Sequence, residues 1–234
     1  MKTLFVHASV NTPITLPADQ IKKLPKKLGI FTTIQFLRQL PKMKQQLEAM
    51  GKDVTVIGQT LGCRADAAEN ADVDAFLYIG SGRFHPLLVA YKSDKPVYCY
   101  HPLENKVFRI EQADINEYHK QRKANLLTFL HAKRVGILIS TKIGQNDNKI
   151  NTYSEELKMK GALELLTRAD KEYYLFAFDT LEIGRLEDFN FIDCWVNTAC
   201  SRIVDAKGKI VNLDDVRELY ADTDANAHLQ LKNN

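Results

Sequence analysis

Short, continuous apolar runs, each about the length of one strand, alternate along the chain with stretches of helical periodicity. That alternation restricts the fold more than any other feature. The runs are Thr3–Ala8, Leu28–Thr33, Val54–Gly58, Ala75–Ile79, Val97–Tyr100, Val135–Ser140, Tyr173–Phe178 and Phe191–Val196. Most are apolar throughout instead of at every second position, the pattern of strands covered on both faces, as in parallel sheets. Between them, Ile34, Leu37, Leu40, Met43, Leu47 and Met50 fall three or four apart and form one helical stripe. Pro41 lies inside that stripe, so the helix kinks or restarts there. Further helices are expected over Ile115–Ala132, over Tyr153–Thr167, and over Asp214–Tyr220. The second of these has Ser154 as a cap and Glu155 and Glu156 near the positive end of its dipole.

The expected fold is therefore α/β: two similar lobes, each a small, mostly parallel sheet flanked by helices and built with right-handed crossovers. The 234 residues divide into four parts. Residues 1–26 are a linker or the remnant of a preceding domain. Residues 27–132 are a first lobe with a bridging helix, residues 133–222 a second lobe, and residues 223–234 a polar tail. No internal repeat is visible residue by residue.

Composition narrows the function classes. With 32 basic and 29 acidic residues the net charge is only +3, which gives no footing for direct nucleic-acid binding. The cluster Lys22, Lys23, Lys26 and Lys27 is short enough to be a solvated loop. No apolar run approaches the ~18 residues of a membrane helix, and the N-terminus has no signal-peptide architecture. A cytoplasmic protein without a membrane partner is the expectation. Four irregularly spaced cysteines, Cys63, Cys99, Cys194 and Cys200, do not form a secreted disulfide framework. In a reducing compartment they are buried thiols, nucleophiles or metal ligands.

In open parallel sheets, ligands bind at the loops that follow the carboxyl ends of strands. Four such loops are rich in Gly, Cys, Arg, His and Gln: 58–64, 80–86, 141–145 and 197–202. Cys63 and Cys200 each follow a strand and have an arginine close by, Arg64 and Arg202. Basic groups and backbone N–H donors favour the thiolate that an iron–sulfur cluster requires. Cys99 and Cys194 lie inside strand-like runs, where a thiol usually packs as a small hydrophobe. In Gly80-Ser81-Gly82-Arg83-Phe84-His85-Pro86, the glycines allow close backbone approach and Arg83 offers a planar fork for a carboxylate. His85 can exchange protons near neutral pH, and Pro86 suits the first turn of a helix. Thr141-Lys142-Ile143-Gly144-Gln145 could take an anion but lacks the spacing of a phosphate loop. Zinc spacings, a nucleophile elbow and a dinucleotide fingerprint are absent.

Five stretches in order carry a family resemblance: Gly29–Phe36, Gly58–Cys63, Gly80–Pro86, Gly136–Gln145 and Val196–Arg202. Together they resemble the diphthamide synthase iron–sulfur family, the 2-(3-amino-3-carboxypropyl)histidine synthases. The resemblance implies a family of three α/β domains, each giving one cysteine to a 4Fe–4S cluster that binds S-adenosylmethionine. Cleavage of that substrate yields a 3-amino-3-carboxypropyl radical, which adds to a histidine of translation elongation factor 2. Carried over by motif, Cys63 and Cys200 match two of the cluster ligands, and Arg83 and His85 belong to the reacting cleft. Gln59, Gly62, Gly82, Lys142, Gly144 and Gln145 belong to the loops around cluster and S-adenosylmethionine. The chain departs from the pattern in three places. The first-domain cysteine has no counterpart, Cys99-Tyr100-His101-Pro102 replaces Arg-Tyr-Asp-Pro, and Cys200-Ser201-Arg202 replaces Cys-Pro-Arg. Three readings stay open. One is an active transferase whose third ligand is Cys99, His101 or a partner's group. Another is a non-catalytic partner subunit or divergent paralogue that keeps the fold and interface but not a complete cluster, as a homodimer or a heterodimer with a longer homologue. The last is an α/β small-molecule-binding protein with structural cysteines.

Overall fold

The computed structural model of the chain describes residues 4, 6, 8–11, 13–60, 70–142, 170–204 and 209–221. Among these, nine strands form two sheets. The first sheet contains β1 (Lys27–Thr32), β2 (Asp53–Gln59), β3 (Ala75–Ile79), β4 (Val97–His101) and β5 (Lys106–Arg109) in the order β2-β1-β3-β4-β5. Its first four strands are parallel, and β5 is antiparallel to β4. The second sheet contains β6 (Arg134–Ser140), β7 (Glu172–Phe178), β8 (Cys194–Asn197) and β9 (Ile210–Asn212) in the order β7-β6-β8-β9, all parallel. The chain divides into two compact units, Met1–Tyr118 and His119–Asn234, one around each sheet.

The central apolar runs became strands because both faces of the sheet are covered there, whereas the outer strands β2 and β7 keep mostly exposed or half-buried residues. All five residues of β3 are buried, and so are the last five of β1. On one face Leu28, Ile30 and Val54 pack under Leu40, Met43 and Leu47 of the helix Leu40–Ala49. On the other face Phe31, Phe76 and Tyr78 meet Val89 and Ala90 of the helix Phe84–Ser93. The stripe from Ile34 to Met50 restarts as anticipated: a 3-10 segment Ile34–Gln39 gives way to the α-helix at Leu40, with Pro41 in its first turn. There the missing N–H is no loss. In the second unit Val135, Ile137, Val196 and Val211 pack with Phe129 on one face, and Leu138, Trp195 and Ile210 with Phe176 on the other. The division between units falls within the long helix Gln112–His131. Ile115 packs on the first core, Leu126 and Phe129 on the second. Residues 213–221 form a further helix, held to the long one where Arg122 pairs with Asp215 at 2.7 Å and with Glu218.

Some expectations fail for local reasons. In the run Thr3–Ala8, the described residues Leu4, Val6 and Ala8 are in no strand. Leu4 and Val6 are 85% and 80% exposed, so nothing covers them. The run Phe191–Val196 becomes a strand only from Cys194, because Ile192 N–H closes a turn on Phe189 O at 3.0 Å. The short strands β5 and β9 were not anticipated. The helix expected over Tyr153–Thr167 and the tail 223–234 lie outside the described residues.

The two sheets share a register that the sequence conceals. Gly29 pairs with Phe76 and Gly136 with Trp195, in each case first strand to third. Each glycine lies directly under that aromatic ring. A Cβ on Gly29 would stand 2.7 Å from Phe76 Cδ1, and one on Gly136 would stand 2.4 Å from two ring atoms of Trp195. Superposing the glycines by register matches Tyr78 with Asn197, and Cys99 with Asn212. Counting on along the chain, Ser81 falls opposite Cys200 and Arg83 opposite Arg202. Both units are thus one α/β plan with different loops.

A stretch preceding β1 is fastened to the first unit by side chains. Gln46 accepts from Leu16 N–H at 3.0 Å and donates to Leu16 O at 2.7 Å, as a neighbouring strand would. Among the described residues, no helix is long and apolar enough to cross a membrane.

Candidate functional site

In the first unit the strand order reverses between β1 and β3, the place where open α/β sheets bind ligands. The buried Thr32 hydroxyl ties the two strand ends together, donating to Ile79 O at 2.5 Å. Just beyond them lies a cavity of about 530 Å³. Gln35 and Phe36 follow β1, Ser81 follows β3, and Tyr100, Pro102, Leu103 and Asn105 come from the end of β4 and its hairpin. Val10, Pro13, Ile14 and Thr15 close the remaining wall. Among the described residues no Asp, Glu, Lys, Arg or His lines it, so these walls suit the uncharged part of a ligand. The Tyr100 hydroxyl lies 2.9 Å from Thr15 O and 2.7 Å from Asn105 Oδ1, and burial raises its pKa.

Arg83 and His85 flank this region without lining the cavity. The Arg83 guanidinium pairs with Asp114 at 2.5 Å and stands 5.8 Å above the Phe108 ring. A ligand carboxylate would have to compete with Asp114 for it. His85 sits in the first turn of the helix Phe84–Ser93, its ring edge-on to Phe84 at 5.5 Å. Gly82 holds φ +88, a conformation open to glycine at little cost. Gln59 is exposed at the end of β2.

In the second unit the corresponding reversal lies between β6 and β8. Cys200 stands in the loop after β8, exposed. Its carbonyl is fastened twice, accepting from Asn197 Nδ2 and from Ile203 N–H, both at 3.0 Å. Asn197, only 1% exposed, also donates to Asn212 Oδ1 at 2.9 Å and accepts from Ala199 N–H at 3.0 Å. Thr198 anchors the same loop to β6 through its hydroxyl, 2.8 Å from Leu138 O. Lys142, after β6, donates to Thr180 Oγ1 at 2.9 Å. Cys63, Gly62, Gly144 and Gln145 lie outside the described residues.

Cys99 and Cys194 occupy another environment. Both are fully buried in the cores, and burial pushes each thiol up to about 12. A thiol in that state does not supply a thiolate near neutral pH. Cys99 faces the apolar layer around Phe31 and Tyr78. His101 is engaged through Nδ1, which accepts from Glu104 N–H at 3.2 Å. Among the described residues no three His, Cys, Asp or Glu side chains form a metal cluster. Sequence reasoning singled out neither the cavity residues Gln35, Ser81 and Asn105 nor the clamp pair Asn197 and Asn212. Asn105, at φ +52 in a hairpin, left a turn signal that could have been read.

An α/β chain with paired reversal points and a cysteine after a strand end narrows the class to ligand-binding or metal-binding α/β proteins. The comparison with known proteins settles the family: residues 1–208 match the profile of the diphthamide synthesis proteins, and the chain belongs to that family. It is 33% identical to the 2-(3-amino-3-carboxypropyl)histidine synthase of Methanocaldococcus jannaschii, over 76% of this chain and 46% of that protein. It is 30% identical to the synthase of the same name from Pyrococcus horikoshii, over 85% of this chain and 57% of that protein. The crystal structure of Dph2 from Pyrococcus horikoshii with a 4Fe–4S cluster superposes with a TM-score of 0.70 at 28% identity, covering 86% of this chain and 59% of that one. The chain thus spans about half the length of the curated relatives it matches.

Proposed function

We propose that this chain provides part of a diphthamide synthase: a protein that transfers the 3-amino-3-carboxypropyl group of S-adenosylmethionine to a histidine of translation elongation factor 2. The observation that carries the reading is the fixed, exposed Cys200 at the reversal point of the second sheet, in a chain of this family. The donor chemistry fits a 4Fe–4S cluster at that cysteine. Its thiol is accessible and its backbone is held, whereas Cys99 and Cys194 are locked in the cores as thiols. Cys200 and Cys63 would hold the cluster, with a remaining ligand from a longer homologue or a second copy. When bound, such a cluster supplies the electron that cleaves S-adenosylmethionine. The chain's own residues bind and orient. The uncharged cavity beside Ser81 receives an apolar, uncharged portion of a substrate. Arg83 can turn from Asp114 to a substrate carboxylate, and His85 is placed near that loop to exchange a proton.

A partner-subunit role is the second reading. Its support is the half-length match and a Schizosaccharomyces pombe relative named as subunit 1 of the synthase, 28% identical over 221 residues. Anaerobic reconstitution with iron and sulfide separates the readings. The wild type is expected to retain iron, Cys200→Ala to lose most of it, and Cys99→Ala to keep it. Equal iron in the Cys200→Ala chain would reject the cluster assignment. Iron retention only when a longer homologue is added would favour the partner role.

A further inference from the structure

We propose that Asn197 is the positioning residue for the Cys200 thiol, with Asn212 holding Asn197 in that role. The proposal rests on the cluster reading in one respect only, the choice of Cys200 as the group worth positioning. The geometric argument comes from comparing equivalent places in the two units.

Ending a third strand in this fold does not require a buried amide. At the matching register the first unit carries Tyr78, the last residue but one of β3, whose hydroxyl donates to Ser81 O at 3.3 Å. Its neighbour on the next strand is Cys99, packed in the core. The second unit keeps the same device, a side chain at the strand end reaching the carbonyl three residues on, but builds it from Asn197. That amide makes three bonds of 2.9–3.0 Å, to Cys200 O, Asn212 Oδ1 and Ala199 N–H. The neighbour on the next strand has become Asn212, whose oxygen orients the Asn197 amide so that its nitrogen faces Cys200 O. A buried amide such as that of Asn197 is costly between strands unless its groups are bonded. Here one bond holds the carbonyl of the residue with the exposed sulfur, which also accepts from Ile203 N–H, and another holds the N–H of Ala199 just before it. The Cα beneath the thiol is therefore held, and the loop cannot swing the thiol further into solvent without breaking the amide's bonds.

The test uses the full chain and three variants. Asn197→Ala removes the clamp, and Asn212→Ala removes its support. Val135→Ala thins the same core at the far end of the strands, next to neither residue. The metal-free chains are alkylated with iodoacetamide under native conditions, and the Cys200 to Cys63 ratio is read by peptide mass spectrometry. Cys63 in the same molecule serves as the internal reference. Losing a bond of ordinary strength corresponds to about threefold to tenfold in local opening. The ratio is expected to rise by about threefold or more in Asn197→Ala, less in Asn212→Ala. It should stay unchanged in Val135→Ala at equal loss of Tm. A ratio that stays or falls in Asn197→Ala, or that rises equally in Val135→Ala, overturns the proposal. After anaerobic loading with iron and sulfide, Asn197→Ala should also alter the electron paramagnetic resonance signature and release iron faster to a chelator. A wild type that takes up no iron defeats the cluster reading alone, because the alkylation ratio still decides whether Asn197 positions Cys200.

Discussion

The first unit ends its central strands against an uncharged cavity, and the second ends them at an exposed thiol. Both use the same strand order and the same glycine-under-aromatic register. What differs is the pair of residues at the matching positions near and just after the strand end: Tyr78 and Ser81 in one, Asn197 and Cys200 in the other. The contrast teaches that the sheet fixes where a group is displayed, while one or two side chains decide what is displayed. It also locates the rigid parts. Gly29 with Phe76 and Gly136 with Trp195 belong to the shared plan, and a substitution at either glycine should damage the sheet that holds it.

The largest expected effect tests that shared plan. Gly136→Ala would drive a methyl to 2.4 Å from two atoms of a packed indole ring. It should cost about 1–3 kcal/mol, as overpacking does. Gly29→Ala should cost less than that, since the nearest Phe76 atom stands at 2.7 Å. Urea midpoints with hydrogen exchange followed strand by strand would check both size and location. Equal loss across both sheets from either substitution would break the picture of two separate copies.

A smaller effect is expected where the clamps differ. Tyr78→Phe removes a 3.3 Å bond to Ser81 O and should cost about 1 kcal/mol or less in a thermal melt. It should also leave Cys200 alkylation unchanged. A Cys200 response to Tyr78→Phe would mean that the two loops are not independent.

The smallest effect is electrostatic. In the second unit Asp193 accepts from Arg134 N–H at 2.8 Å and Lys133 N–H at 3.1 Å and pairs with Arg134. These bonds, the Arg134 N–H first, hold its pKa below the usual 3.8. The unfolded chain therefore binds the proton more readily. The resulting stability is fully present above that value and is lost as the pH falls through the lower folded one. Asp193→Asn should flatten the acid limb of the unfolding curve. Asp72 in the first unit is lowered in the same sense by Lys27. That pair is exposed, and Asp72→Asn should move the curve least. A larger effect from Asp72 than from Asp193 would contradict the role given to the backbone N–H donors.

Much of the scaffold was legible in the sequence because parallel strands buried on both faces write themselves as unbroken apolar runs. Ala75–Ile79 appears with its exact ends. The strands β5, Lys-Val-Phe-Arg, and β9, Ile-Val-Asn, carried too few apolar residues to stand out and exist because β4 and β8 offer them an edge. The duplication was hidden because it resides in register: Phe76 and Trp195, or Tyr78 and Asn197, share a place without sharing a residue. The position of Cys200 after a strand end could be read from the chain. The burial of Cys99 could be read too, from its place inside a strand-like run, but not the partners Phe31 and Tyr78 that cover it from neighbouring strands. The cavity was silent, because Val10, Pro13, Ile14 and Thr15 have no periodicity to show that they wall it.

The Gln46 bridge to Leu16 has a consequence for the ageing of the protein. Hydrolysis of that one amide to a carboxylate would keep the acceptor for Leu16 N–H but set an oxygen against Leu16 O where a donor now stands. A spontaneous chemical change at a helix residue would thus begin to peel away the segment that walls the cavity. Faster amide exchange at Leu16 in a Gln46→Glu chain would be its first sign.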